Sequence, residues 1–417
     1  MVGSTSRRGA ARRVAAALAL VLLVAGCGGG SGGAGGGGAG DKIKVGLPHP
    51  LTGVWAEGGR NSVNGALLAI EDINAAGGVK ALNGAKLEPV EADTSSADPG
   101  QAASVTRRLV QRDSVSALIG SYVSALSLTA STEAEKAGVP MVTQAFTNEL
   151  TARGYKNLFQ LPPPSSQIGA STVPYVRDAF ASAGIKLKRV AVVSSNDAAL
   201  QAQAEGTAKA AEGAGLDVVA KEFYPIDITD ASVLARRVAQ PKPDIVFLGG
   251  PTAAAILVVR TLRSLGYEGP VVGLGGGGIL NKGFAEALGE NANGVLSMAA
   301  WNWDMPYEGV RDVNQRYLKR FNEPFMPQEA GESYTAVWVI KEAAERSRSS
   351  KPGDITNALR QLELPSGPGS FMPGGKVRFN EQGLNAPTFP MMIQWQDGLP
   401  KGIWPKEVQA AKPVAQA

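Results

Sequence analysis

The chain has 417 residues, with 41 lysines and arginines against 37 acidic residues, one histidine and one cysteine. Arg7, Arg8, Arg12 and Arg13 all precede the first acidic residue, so the rest of the chain is close to neutral and has no basic field for holding nucleic acid. A lone cysteine excludes an intrachain disulfide, and a lone histidine beside it excludes a cysteine–histidine metal cluster.

The four arginines are followed by an apolar run from Val14 to Ala25. That run suits a secretory leader and is too short to span a bilayer. Val24-Ala25-Gly26-Cys27 resembles the lipobox of bacterial lipoproteins, which predicts a signal peptide over residues 1–26 and lipidation of Cys27. Residues 27–41, nearly all glycine after the cysteine, read as a tether with too little apolar surface to fold. The chain is thus expected to be extracytoplasmic and lipid-anchored to the cell membrane. No later segment approaches a membrane-spanning length.

From Asp41 onward, short apolar strands alternate with longer helical patterns, the signature of an α/β fold with mainly parallel sheets. Strands are predicted at 43–47, 86–92, 116–120 and 139–143, with helices at 60–75, 98–112 and 124–137 between them. In the first helix, Val63, Ala66, Leu67, Ile70 and Ile73 recur at helical spacing, and Gly77-Gly78 ends it. Leu161-Pro162-Pro163-Pro164 breaks the series. A second series follows, with strands at 188–194, 217–223, 244–249, 270–274 and 293–299 and helices at 199–214, 230–239 and 252–265. Helical stretches near 306–321, 329–347 and 353–362 come next, then β-like segments at 376–379 and 388–396. The roughly 375 residues beyond the tether exceed what one core usually organises, which predicts two lobes.

Two formal catalytic motifs fail on context. Gly29-Gly30-Ser31-Gly32-Gly33 matches a serine-nucleophile pattern but lies in the tether, and its only possible base, His49, sits between two prolines and reads as a loop residue. Gly273 to Gly278 satisfies G-x-G-x-x-G after a strand, yet no acidic residue closes a following strand about 20 positions on. A glycine-lined cleft mouth, where backbone must approach a ligand or the opposite lobe, explains it better. No catalytic residue, cofactor or metal is therefore expected. A binding signal survives. Ser121 to Ser124 join a strand to a helix N-terminus, where free N–H groups and hydroxyls attract an anion. Thr147 and Asn148 follow the next strand at the same sheet edge. Taken singly, each of these is explained by helix capping.

IKVGLPHPLTG, then NGALLAIEDINAAGGV, ALIGSYVS and TNELTARGY resemble the leucine/isoleucine/valine-binding protein family, the solute-binding proteins of branched-chain amino-acid-type ABC importers. The resemblance runs from about Lys42 to about Trp404. It implies the type I periplasmic-binding-protein fold: two Rossmann-like lobes with parallel-rich sheets joined by a three-strand hinge. The first lobe is expected over 42–162 and 300–364, the second over 163–299 and 365–405, and a C-terminal tail over 406–417. Crossings are expected near Pro162–Ser165, Ala299–Asn302 and Pro365–Ser370.

The resemblance places a ligand carboxylate on Ser124 and Thr147 with backbone help from Phe146, and Trp55 against the ligand side chain. In the second lobe it points to Asn196, Thr252 and Gly275, and there the sequence departs from the family. Ala199 and Pro251 or Thr252 stand where amino-acid binders carry aromatics, and Gly275 stands where they carry the acid that pairs with the ligand ammonium. That departure predicts a carboxylate or amide bulkier than leucine, an aromatic acid being one candidate. The expected function is that of a monomeric, non-enzymatic solute-binding lipoprotein that captures a small carboxylate-bearing solute and delivers it to an ABC transporter permease. A sensory lipoprotein of the same fold and a Rossmann-type NAD-binding enzyme are the alternatives.

Overall fold

The computed structural model describes residues 42–96, 98–181 and 187–414, so the leader, Cys27 and the tether lie outside the described residues. No helix among the described residues is long and apolar enough to cross a membrane. The first sheet is built from β1 (Ile43–His49), β2 (Leu87–Asp93), β3 (Ala117–Ile119), β4 (Met141–Thr143) and β5 (Leu158–Gln160). Its order is β2-β1-β3-β4-β5 and every pairing is parallel. Its strands are connected by α1 (Ala56–Ala75), α2 (Pro99–Gln111), α3 (Ser124–Ala137) and the single turn α4 (Glu149–Ala152). Asp98 caps α2 by accepting from the Gly100 and Gln101 amides, with Pro99 at the first helical position.

The chain then crosses into α5 (Ser165–Ala181), β6 (Arg189–Ser195), α6 (Ala198–Gly213), β7 (Asp217–Tyr224), α7 (Ser232–Ala239), β8 (Ile245–Gly249), α8 (Thr252–Ser264), β9 (Val271–Gly273), α9 (Lys282–Leu288) and β10 (Leu296–Ala299). It returns to the first lobe as α10 (Val310–Phe321), α11 (Gln328–Ser347) and α12 (Pro352–Arg360), followed by the short antiparallel pair β11 (Glu363–Leu364) and β12 (Val377–Arg378). It ends in the second sheet as β13 (Met391–Gln396) and β14 (Leu399–Trp404). That sheet runs β14-β13-β10-β9-β8-β6-β7, parallel from β10 to β7 and antiparallel at the β13 and β14 edge.

Three elements carry no local signal that reveals them. The helix α5 starts directly after the proline run, which opens a helix rather than only ending one, and it tolerates Pro174 within it. The strand β5 is three residues long, and β14 contains Pro400 and Gly402. His49, expected in a loop, is the last residue of β1 and fully buried. Leu67 is only half-buried, while Leu68, Gly65 and Ala69 are buried as well, because α11 packs against α1 as well as against the sheet.

Residues 365–390, expected in the second lobe, lie instead along the far edge of the first sheet. Gln160 donates its amide to the Gly383 carbonyl at 2.8 Å and accepts from the Asn385 amide at 2.9 Å. Phe379 packs edge-on to Phe159 with centroids 5.0 Å apart. The third crossing therefore falls between Asn385 and Met391 rather than at Pro365–Ser370. At the second crossing, the Ala300 amide donates to Gln328 Oε1, while the side chains of Asn302 and Trp303 both donate to the Pro400 carbonyl. Residues 406–414, read as a tail, are fastened to the second sheet through bonds between Val414 and the Gln394 side chain.

Candidate functional site

Parallel strands aim their carboxyl ends at one edge of each sheet, and the two edges face each other across a cleft. Between them lies a cavity of about 20 Å³, room for about one water. Trp55, Tyr122, Val123, Ser124 and Phe146 line it from the first lobe, and Asp197, Ala199, Leu200, Gly275 and Gly276 from the second.

The first-lobe wall is preorganised by aromatic packing. Trp55, at the start of α1, donates its amide to Ser96 Oγ at 3.0 Å, and its carbonyl accepts from the Tyr122 hydroxyl at 2.7 Å. The two rings meet edge to face at 6.3 Å. Burial, with the charges of Glu329, Glu57 and Asp197 behind it, pushes the Tyr122 hydroxyl well above its ordinary value, so it remains a donor. At the start of α3, Val123 supplies no side-chain cap, which leaves the helix's first amides facing the cleft. Ser124 Oγ accepts from the Thr147 amide at 3.3 Å, so the two expected carboxylate residues do meet. Together they form a donor-rich pole suited to an anion.

The second lobe differs from the sequence expectation. Asn196 is exposed, and its neighbour Asp197 lines the cavity. Asp197 caps α6 through the Leu200 amide and accepts from Ser195 Oγ at 2.5 Å. Burial raises its carboxyl above the usual range against these stabilising bonds. Thr252 does not reach the cavity and instead bonds Glu57 of the first lobe. Gly275 does line it, and Gly276 explains the glycine run. With φ at +76°, a Cβ there would stand 2.5 Å from the Phe146 ring of the opposite lobe. The helix after this loop is only seven residues long, and the loop's close approach to Phe146 is the cleft-mouth geometry. Of the expected residues, then, Trp55, Ser124, Phe146 and Gly275 share the cavity, Thr147 adjoins it, and Asn196 and Thr252 do not. Asp197 is the acid near Gly275 that the sequence offers as a partial substitute partner for a ligand ammonium. Tyr122 was not singled out by the sequence, where the only available signal was an aromatic between two serines.

His49 is unsuited to base catalysis, since burial lowers its imidazole to about 3 and keeps it neutral. Among the described residues no group of three or more histidine, cysteine or acidic side chains is placed to hold a metal ion.

The chain matches the periplasmic binding protein family over residues 42–398. A leucine/isoleucine/valine-binding protein homologue of Brucella melitensis is 27% identical over 381 residues, covering 89% of this chain and 92% of that one. Among solved structures, the branched-chain amino acid transporter substrate-binding protein LivJ of Streptococcus pneumoniae, in complex with isoleucine, superposes with a TM-score of 0.75 at 24% identity, covering 88% of this chain and all of that one. A solute-binding protein of an ABC transporter from R. palustris, in complex with benzoate, superposes with a TM-score of 0.73 at 20% identity, covering 89% and 99%. With the two-lobed fold, the cleft and a family match over most of its length, this chain belongs to the periplasmic binding protein family.

Proposed function

We propose that this protein is the extracytoplasmic, lipid-anchored solute-binding subunit of an ABC importer, capturing a small carboxylate-bearing solute between its lobes and handing it to a permease without chemical change. The observation that carries this reading is the cavity lined by both lobes, with a donor-rich pole at Ser124 and the open start of α3. A carboxylate there replaces water with preoriented amides and a hydroxyl, and lobe closure then shields those bonds from solvent. Bound solute stabilises the closed form by its differential affinity for it. Asp197 stands in the opposite lobe and offers the acidic group that Gly275 lacks, so an α-ammonium has a partner after all. The expected preference for a carboxylate or amide bulkier than leucine therefore loses its main support.

Thermal-shift and calorimetric titration of the full chain in detergent tests the reading, with leucine, isoleucine, phenylalanine, benzoate and the deaminated acid of each amino acid as probes. At least one probe should raise the melting temperature and bind at micromolar affinity or tighter, about −8 kcal/mol. Ser124→Ala should weaken that probe by about 1–3 kcal/mol, the scale of a hydrogen bond to a charged group. Unchanged affinity in Ser124→Ala removes the carboxylate pole from the argument, and no response to any probe contradicts capture of this ligand class.

The anchor is tested separately. Cys27→Ser should shift the protein from the membrane fraction to the soluble or unprocessed fraction while leaving probe affinity unchanged. Full membrane recovery of the variant contradicts lipid attachment at Cys27.

A further inference from the structure

We infer that Glu57 is a positioning residue that latches the two lobes together without touching the solute. Glu57 lies in the first turn of α1, on the first lobe. Its Oε2 accepts from Thr252 Oγ1 at 3.0 Å and its Oε1 from the Gly283 amide at 3.3 Å, both on the second lobe. Thr252 Oγ1 in turn accepts from Asn281 Nδ2 at 3.2 Å, and Asn281 Oδ1 accepts from Asn61 Nδ2 at 3.4 Å. Glu57 and Asn61 are one turn apart on α1, so a single helix face reaches across twice. None of these four side chains lines the cavity.

The helix starts on the far side explain why a carboxylate belongs here. The residues before α8 and α9, Pro251 and Asn281, make no side-chain cap bond. Those starts have no side-chain caps of their own. From the other lobe Glu57 accepts the Gly283 amide in α9 and, at the start of α8, the Thr252 hydroxyl. Asn61 and Asn281 are nearly buried, so the bridge is shielded from competing water. Opening the lobes breaks three bonds at once and returns both helix starts to solvent. A Lys282–Glu323 ion pair at 2.5 Å, from α9 to the loop after α10, adds to the same grip. The latch acts on closure whatever the solute is, so residence time depends on a residue outside the solute's contact surface.

Hydrogen exchange on the full chain without added solute tests this, comparing wild type, Glu57→Gln, Glu57→Ala and Thr252→Val. Exchange at residues 146–148 and 197–200, which border the cavity on opposite lobes, should rise at least tenfold in Glu57→Ala. Thr252→Val should reproduce the pattern from the other lobe, and Glu57→Gln, which keeps an acceptor without its charge, should fall between. Amides of β1 and β8 should be unchanged in all four. A rise confined to residues 252–255 and 281–285 makes Glu57 a local cap and overturns the inference. So does a rise that extends through β1 and β8, or a Thr252→Val chain that behaves as wild type.

Discussion

Gly65→Ala should destabilise the protein by at least about 3 kcal/mol, at the upper end of what overpacking costs. A Cβ at Gly65 would stand 2.0 Å from the Ala330 carbonyl oxygen and 2.6 Å from the Ala330 Cα. Both are backbone atoms, so no side chain can swing aside, and α1 and α11, each 20 residues long, must move apart. Alanine gains roughly 1 kcal/mol over glycine from helix propensity alone, far less than the clash costs. Gly213 provides the control, because it is helical and has open space where a Cβ would go. Gly213→Ala should hold or slightly raise the urea midpoint while Gly65→Ala lowers it by a large margin. Equal midpoints for Gly65→Ala and wild type are incompatible with so close a helix contact.

The second large effect is a pH dependence centred on α11. Glu329 is fully buried, and burial, reinforced by the charge of Glu57, raises its carboxyl from 4.5 to about 7. Glu332, one turn on, is also pushed well above its ordinary value by burial and by Glu329. A raised acid means that the folded chain keeps a proton that the unfolded chain releases. Its stabilisation is present below about pH 4.5, falls as pH rises toward 7, and is fully lost above that. The shift corresponds to roughly 3 kcal/mol. Glu329→Gln removes this titration and also the charge that Glu332 feels, so the variant should gain on wild type as pH rises from 5 through 7 and level off by pH 8. Urea midpoints across these pH values check it, and parallel profiles for the two proteins would show that Glu329 does not titrate in this range.

The alternating series of both lobes was legible because buried parallel strands carry continuous apolar runs, such as Val190 to Val193 and Ile245 to Leu248. What stayed hidden was set by contacts between distant segments. The third crossing was misplaced because β11 and β12 are two residues each, and the segment after them, from Phe379 to Asn385, is held by Phe159 and Gln160 of the first sheet rather than by any local period. The first-lobe half of the site was readable, since Ser124 and Thr147 follow consecutive strand ends. The second-lobe half was not. Whether Asn196 or Asp197 faces inward, and whether Thr252 meets solute or Glu57, depends on how closely the lobes approach, which no local pattern encodes.

The return of α10 to α12 to the first lobe has a consequence for the order of events during folding. The strands β6 to β10 are contiguous in the chain and have all their parallel partners by Ala299. The first lobe must wait, because α1 is covered by α11 and the Lys80 amide bonds Glu345 across a separation of 265 residues. Closing so long a loop is entropically slow to be rewarded, so the second lobe should nucleate first. A chain emerging from N-terminus to C-terminus thus passes through a stage with the α11-facing side of α1 bare. That stage, rather than the finished molecule, is where aggregation or chaperone capture should concentrate.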